Sequence, residues 1–167
     1  ANKDDLRCFL RWDVIQKTMF ITYSHYIIKE FIYLKRLKNW RNQWRGAIQE
    51  SLAGYPVLFL FYKKSSSTLI HHAYQLAKFQ EITSINYQQI SNIVEFGGGY
   101  GSMCRLLRNL NFNGQYLIYD LAPFSLLQEF YFKLLSAADN NRNNYYVDNI
   151  HCISNIDLMR KIIKESG

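Results

Sequence analysis

Four glycines fall within five residues at Gly97-Gly98-Gly99-Tyr100-Gly101, and two acids flank them. Glu95 stands two positions before the first glycine, and Asp120 stands nineteen after the last. Glycine at this density strips a turn of side chains. It permits φ > 0 where a strand must swing into a helix, and it lets a ligand reach the backbone where a Cβ would otherwise stand. A helix opening at such a turn aims free N–H groups and the positive end of its dipole at that ligand. A carboxylate closing the next strand can accept hydrogen bonds from both hydroxyls of an adenosine ribose. The chemistry implied is the binding of an adenosine-containing cofactor, set against a tight strand–helix turn with no ligand at all.

Glu95 separates the candidate cofactors. In dinucleotide oxidoreductases the first strand is apolar up to its glycines, and the spacing is GxGxxG. Here Gly97 and Gly99 fit, but the third place is Ser102, with Gly101 ahead of it. An acid inside an otherwise apolar strand is costly unless paired. A cationic ligand end gives a reason to keep it, and it could also hold the loop through backbone N–H groups. S-adenosylmethionine carries a sulfonium and an ammonium, whereas NAD brings a negative pyrophosphate to this place. The electrostatics favour S-adenosylmethionine.

These residues need a scaffold, and the hydrophobic pattern supplies one. Ile93-Val94-Glu95-Phe96 reads as a short strand before the glycines, and residues 103–110 have helical periodicity. Asn113-Gly114 marks a turn, Tyr116-Leu117-Ile118-Tyr119 a second strand closed by Asp120, and 124–135 a helix. A polar loop over Asn140 to Asn144 leads to a third strand, Ile150-His151-Cys152-Ile153, and a helix from Leu158 to Lys164. Alternation of this kind implies parallel strands with crossovers. Upstream, residues 4–50 read as helical, with Leu6, Leu10, Val14 and Ile15 and then Ile27, Ile28, Phe31, Ile32 and Leu34 at helical spacing. Val57 to Tyr62 is an apolar run that periodicity assigns to neither strand nor helix. Ser65 to Thr68 offer caps for a helix with Leu69, Ala73, Leu76, Ala77 and Phe79 facing inward and an end near Glu81. The expected class is α/β: a Rossmann-like parallel sheet, partial, of about three strands, preceded by a helical N-terminal region. The domains are then 1–82, helical, and 91–167, cofactor-binding, with a weak boundary between 82 and 91.

Bulk properties bound the rest. Half of the residues, near enough at 49%, are hydrophobic, so a sizeable core can form and global disorder is excluded. Net charge is +7, and the Lys and Arg concentrate in the first fifty residues without any long like-charge block. That pattern suits a solvated helix face better than a nucleic-acid track. Cys8, Cys104 and Cys152 have no zinc or disulfide spacing. The uncharged stretches reach about a dozen residues, short of the roughly 20 a membrane-spanning helix needs. No apolar leader stands at the N-terminus, so a cytoplasmic protein in a reducing compartment is expected.

The run Val94-Glu95-Phe96-Gly97-Gly98-Gly99-Tyr100-Gly101 resembles motif I of class I S-adenosylmethionine-dependent methyltransferases, in its E/D-x-G-x-G-x-G form. Continued through Tyr116-Leu117-Ile118-Tyr119-Asp120-Leu121-Ala122-Pro123 to Gln128, and joined by His72-Ala73-Tyr74-Gln75-Leu76, it is similar to bacterial sugar O-methyltransferases. The resemblance spans roughly residues 68–135. It implies that Gly97, Gly99 and Gly101, with Gly98 between them, line the methionine part of the cofactor. Glu95 would hold the loop or the amino group, Asp120 the ribose hydroxyls, and Leu121 the adenine; Ser154 or Asn155 could flank the adenine without motif support. A complete fold of this family has seven strands, and only three are legible here. The expectation is a fragment, or a reduced domain finished by a partner, with homo-oligomerisation left open.

The implied reaction is O-methylation of a sugar or another small hydroxyl acceptor by in-line displacement, without a metal. His71 and His72 begin an apolar helix, and His72 is the weak candidate for a base that removes the acceptor proton; a packing histidine is the plainer reading. His151 and Cys104 read as structural, Glu129 as a solvated charge. Trp12, Trp40 and Trp44 beside basic residues could stack bases or sugars, but packing is the commoner use. Three alternatives stay open: a non-catalytic S-adenosylmethionine-binding or scaffold module, an NAD-dependent oxidoreductase and, more weakly, a nucleic-acid methyltransferase or binder.

Overall fold

The structure, a computed structural model, describes residues 5–21, 25–138 and 148–165. The chain divides into two compact units, Ala1–Asn86 and Tyr87–Gly167. The polar loop expected over 140–144 lies outside the described residues.

The first unit is helical but repeatedly broken. Asp5 caps a 3₁₀ turn over Leu6–Arg11, accepting the Arg7 N–H at 2.9 Å, and α1 (Asp13–Met19) follows. In α2 (His25–Arg36) the buried positions are Ile27, Glu30 and Leu34, a narrow stripe at helical spacing. A π-turn over Trp40–Trp44 runs into α3 (Arg45–Ala47). The longest helix of this unit, α4 (Ser67–Thr83), starts where Ser66 Oγ accepts the Leu69 N–H at 3.1 Å. It ends on Ser84 in the left-handed conformation. Leu69, Ile70, Ala73 and Ala77 bury the face of α4 that packs on α2.

Several inward assignments fail there. Leu6, Val14, Ile32 and Phe79 are exposed, because each helix buries only one narrow stripe. The run from Val57 to Tyr62 is a turn-rich loop with a single bridge between Phe59 and Tyr62. The three tryptophans belong to this unit; Trp44 is buried, and Trp40 meets the Phe31 ring edge-on at 5.7 Å.

The second unit is a three-stranded parallel sheet in the order β1 (Asn92–Phe96), β2 (Gln115–Tyr119), β3 (Ile150–Ile153). Between the strands run α5 (Ser102–Asn109) and α6 (Ala122–Ala138), and α7 (Ile156–Glu165) follows β3. The register sets the faces. Ile93 and Glu95 share one face with Tyr116, Ile118, Ile150 and Cys152. Val94 and Phe96 share the other with Leu117, Tyr119 and Ile153. On that second face Met159 and Ile162 of α7 cover Leu117, Tyr119 and Ile153. Val94 and Phe96 stay exposed, so β1 is uncovered on this face. Arg108, buried at the end of α5, donates to the carbonyls of Phe112, Asp148 and Asn149 and so fixes the approach to β3. Among the described residues no helix is long and apolar enough to cross a membrane.

Candidate cofactor site at the strand ends

Parallel pairing makes this site. Phe96 lies beside Tyr119, so the chain leaves β1 into the glycines next to where it leaves β2 into Asp120. The Gly97 N–H donates to the Tyr119 carbonyl at 2.9 Å and ties the start of the turn to β2. The Gly101 N–H reaches the Gly98 carbonyl at 2.9 Å and closes the turn onto α5, which has no side-chain N-cap.

The glycines serve different ends. Gly97 has φ +72 and open space where a Cβ would stand, which leaves a bare backbone facing a void. Gly101 has φ +92, and a Cβ there would meet the Phe132 ring at 2.6 Å. Gly98 is required by packing: its Cβ would lie 2.5 Å from Ile118 and 3.1 Å from Glu95 Oε2. Gly97 therefore offers space to a ligand, whereas Gly98 and Gly101 let the turn sit on the sheet and on α6.

Glu95 lies under that turn. Its hydrogen bond comes from the Tyr116 phenol, at 2.9 Å, rather than from a backbone N–H of the loop. Burial pushes its carboxyl above the ordinary range; the Tyr116 hydrogen bond opposes this, and the Asp120 carboxylate adds to the rise. Burial and the neighbouring Glu95 also push the Tyr116 phenol well up.

Asp120 is half-buried, with its backbone N–H on the Ile153 carbonyl at 2.9 Å. Oδ1 accepts the Leu121 N–H at 2.8 Å, and Oδ2 accepts Gln128 Nε2 at 3.0 Å. The same Nε2 donates to the Gly99 carbonyl, also at 3.0 Å. Each carboxylate oxygen has two lone pairs, so capacity remains for two hydroxyls. At the same strand ends Leu121 and Phe96 expose 69% and 68% of their surfaces, and the Phe96 ring meets Tyr119 edge-on.

Sequence reasoning missed Gln128 and Tyr116. Gln128 is fully buried, its Oε1 has no hydrogen bond among the described residues, and an idle buried acceptor costs about 1–3 kcal/mol. A signal for it existed. Ser125, Gln128, Tyr131, Phe132 and Leu135 are the buried residues of α6, so an amide and a hydroxyl stand on its inward face, with Gln128 reaching Gly99.

The remaining candidates have settings of their own. Asn155 Oδ1 accepts the N–H groups of Asp157 and Leu158, so it caps α7, and Ser154 is exposed. Cys104 is fully buried, and burial holds its thiol well above the reactive range. His151 pairs in register with Leu117 inside the sheet. Glu129 lies 3.9 Å from Lys133 along α6. His72 sits on α4 in the other unit, where burial and then the neighbouring His71 push its imidazole down to about 4. A base that weak takes a hydroxyl proton poorly at neutral pH. No group of three or more His, Cys, Asp or Glu among the described residues could hold a metal ion. No protein-family model, curated protein or solved structure matches the chain.

Proposed function

We propose that the second unit binds S-adenosylmethionine and that the protein transfers its methyl group to a hydroxyl of a small acceptor, in first place a sugar. The sheet is read as one half of a Rossmann-like, doubly wound sheet, in which ligands lie beyond the carboxyl ends of the strands. One observation carries the reading: the bare glycine turn after β1 lies between two acids, Glu95 beneath it and Asp120 beside it. A turn with carboxyl groups on two sides favours a ligand with cationic ends. A pyrophosphate would meet repulsion there, which sets NAD behind.

In this reading Gly97 and its neighbours face the methionine portion, and Glu95 supplies negative charge under it. Asp120 accepts the ribose hydroxyls, and Leu121 and Phe96 cover the adenine. Bound, the cofactor supplies a methyl group activated by its sulfonium. The chain's contribution is to hold that group in line with the acceptor oxygen. The exposed, uncovered β1 favours a second reading, a cofactor-binding module completed by another segment or chain.

Calorimetric titration with S-adenosylhomocysteine, and separately with NAD, tests the proposal. Micromolar binding of the first alone is expected, with Asp120→Ala weakening it by about 30-fold or more, as two hydrogen bonds to a charged group are lost. Binding of NAD alone, or of neither ligand, overturns it.

A further inference from the structure

Gln128 is placed to do more than fill the core. Its amide uses both N–H groups on atoms of two different loops, the Gly99 carbonyl after β1 and the Asp120 carboxylate after β2. Both partners are pure acceptors, so the amide must present its nitrogen to them; no flipped arrangement satisfies either. Its own Oε1 is left buried without a hydrogen bond among the described residues. A glutamine kept for packing would not spend two donors this way and idle its acceptor. The strands bring the two loops together, but β-pairing sets neither the orientation of the Gly99 peptide nor the rotamer of Asp120. Gln128 sets both. With the Gly99 carbonyl turned to α6, planarity of the trans peptide turns the Tyr100 N–H away from it. With one donor on each oxygen, from Leu121 and from Gln128, the Asp120 carboxylate has a single orientation.

We propose that Gln128 is a positioning residue of the cofactor site. It locks the glycine turn and the Asp120 carboxylate into one rigid unit, so that the methionine and ribose ends of one ligand meet partners at a fixed separation. This rests on the cofactor reading above.

The test is calorimetric titration of the full chain with S-adenosylhomocysteine at pH 7.5 and pH 5.5, for the wild type, Gln128→Met and Gln128→Glu. Gln128→Met keeps the volume and removes both donors; binding at either pH weakens by about ten- to hundredfold, the range for a lost hydrogen bond to a charged group. In Gln128→Glu the introduced carboxyl faces two acceptors when ionised but can donate to one of them when protonated. Its deficit relative to the wild type therefore shrinks as pH falls, a signature that general loss of packing does not produce. Wild-type binding matched within twofold by Gln128→Met overturns the inference and leaves the cofactor reading standing. So does a Gln128→Glu deficit that does not change with pH, and so do variants that fail to fold at both pH values, which would make the residue structural. A wild type that does not bind overturns the cofactor reading itself.

Discussion

In the first unit Glu30 faces His71 Nδ1 with both oxygens, at 2.9 and 3.0 Å, while the Gln75 amide donates to Nε2 on the far side of the ring. In the second, Asp120 takes one donor on each oxygen and keeps lone pairs free, and the amide that holds it leaves its carbonyl unpaired. The first arrangement is closed: the Gln75 donor leaves the ring proton on Nδ1, which points at the carboxylate, and nothing further is asked of the group. Ser66 behaves alike, capping α4 with its lone pair and donating to Glu50 at 2.5 Å. The second arrangement is open, with spare lone pairs on Asp120 and on Gln128 Oε1 beside the glycine turn. Buried polar groups that satisfy one another hold helices together, whereas groups left partly satisfied around a bare turn are where the proposed ligand would find partners.

The sharpest way to break this contrast compares two glycines in one turn. Gly101→Ala should destabilise the second unit by about 2–4 kcal/mol, from left-handed strain plus overpacking against Phe132. Gly97→Ala meets no neighbour and should cost only about 1–2 kcal/mol of strain, yet reduce S-adenosylhomocysteine affinity at least tenfold. Chemical denaturation and calorimetry read the two effects. Equal affinity loss per unit of lost stability would mean that Gly97 does not face the ligand.

His71→Ala should come next. It leaves Glu30 buried without its donor and should cost about 2–3 kcal/mol of stability in the first unit, with cofactor affinity unchanged. A loss of affinity would break the division of labour.

Acid should act on the first unit through His72. Its folded value near 4 lies below the ordinary 6.5, so the folded state disfavours the charged form. That contribution is fully present above pH 6.5 and is lost as pH falls through 4, amounting to about 3 kcal/mol. Urea melts of the wild type and His72→Leu across that window check it; the variant should show the flatter profile.

Smallest is Glu95→Gln. A carboxyl raised by burial stabilises the fold while protonated, and that contribution is lost as pH rises from its ordinary value of 4.5 through the raised one. The variant should thus melt slightly higher at pH 7 than the wild type. It should also weaken S-adenosylmethionine, which carries the sulfonium charge, more than S-adenosylhomocysteine, which does not.

What could be read from the sequence follows the range of the physics involved. Strand positions, the glycine turn and Asp120 were legible because local spacing determines them. Helix burial in the first unit was read less well: Val14 and Phe79 satisfy the helical period and still face solvent, because each of their helices buries only a narrow stripe. The roles of Tyr116 and Gln128 were not legible, since their value lies in hydrogen bonds to Glu95 and Gly99, 21 and 29 residues away along the chain, set by parallel register and helix docking. Periodicity says that a position faces inward, not which polar atom waits there.

The placement of the tryptophans has a practical consequence. Trp12, Trp40 and Trp44 all precede Asn86, while the proposed cofactor site lies wholly beyond it. Indole emission is therefore an optical label that this chain already carries on one unit alone. Far-ultraviolet circular dichroism records both units. Two melting curves recorded together will coincide if the units unfold as one and separate if they do not, and a ligand that shifts only the dichroism curve will have declared where it binds.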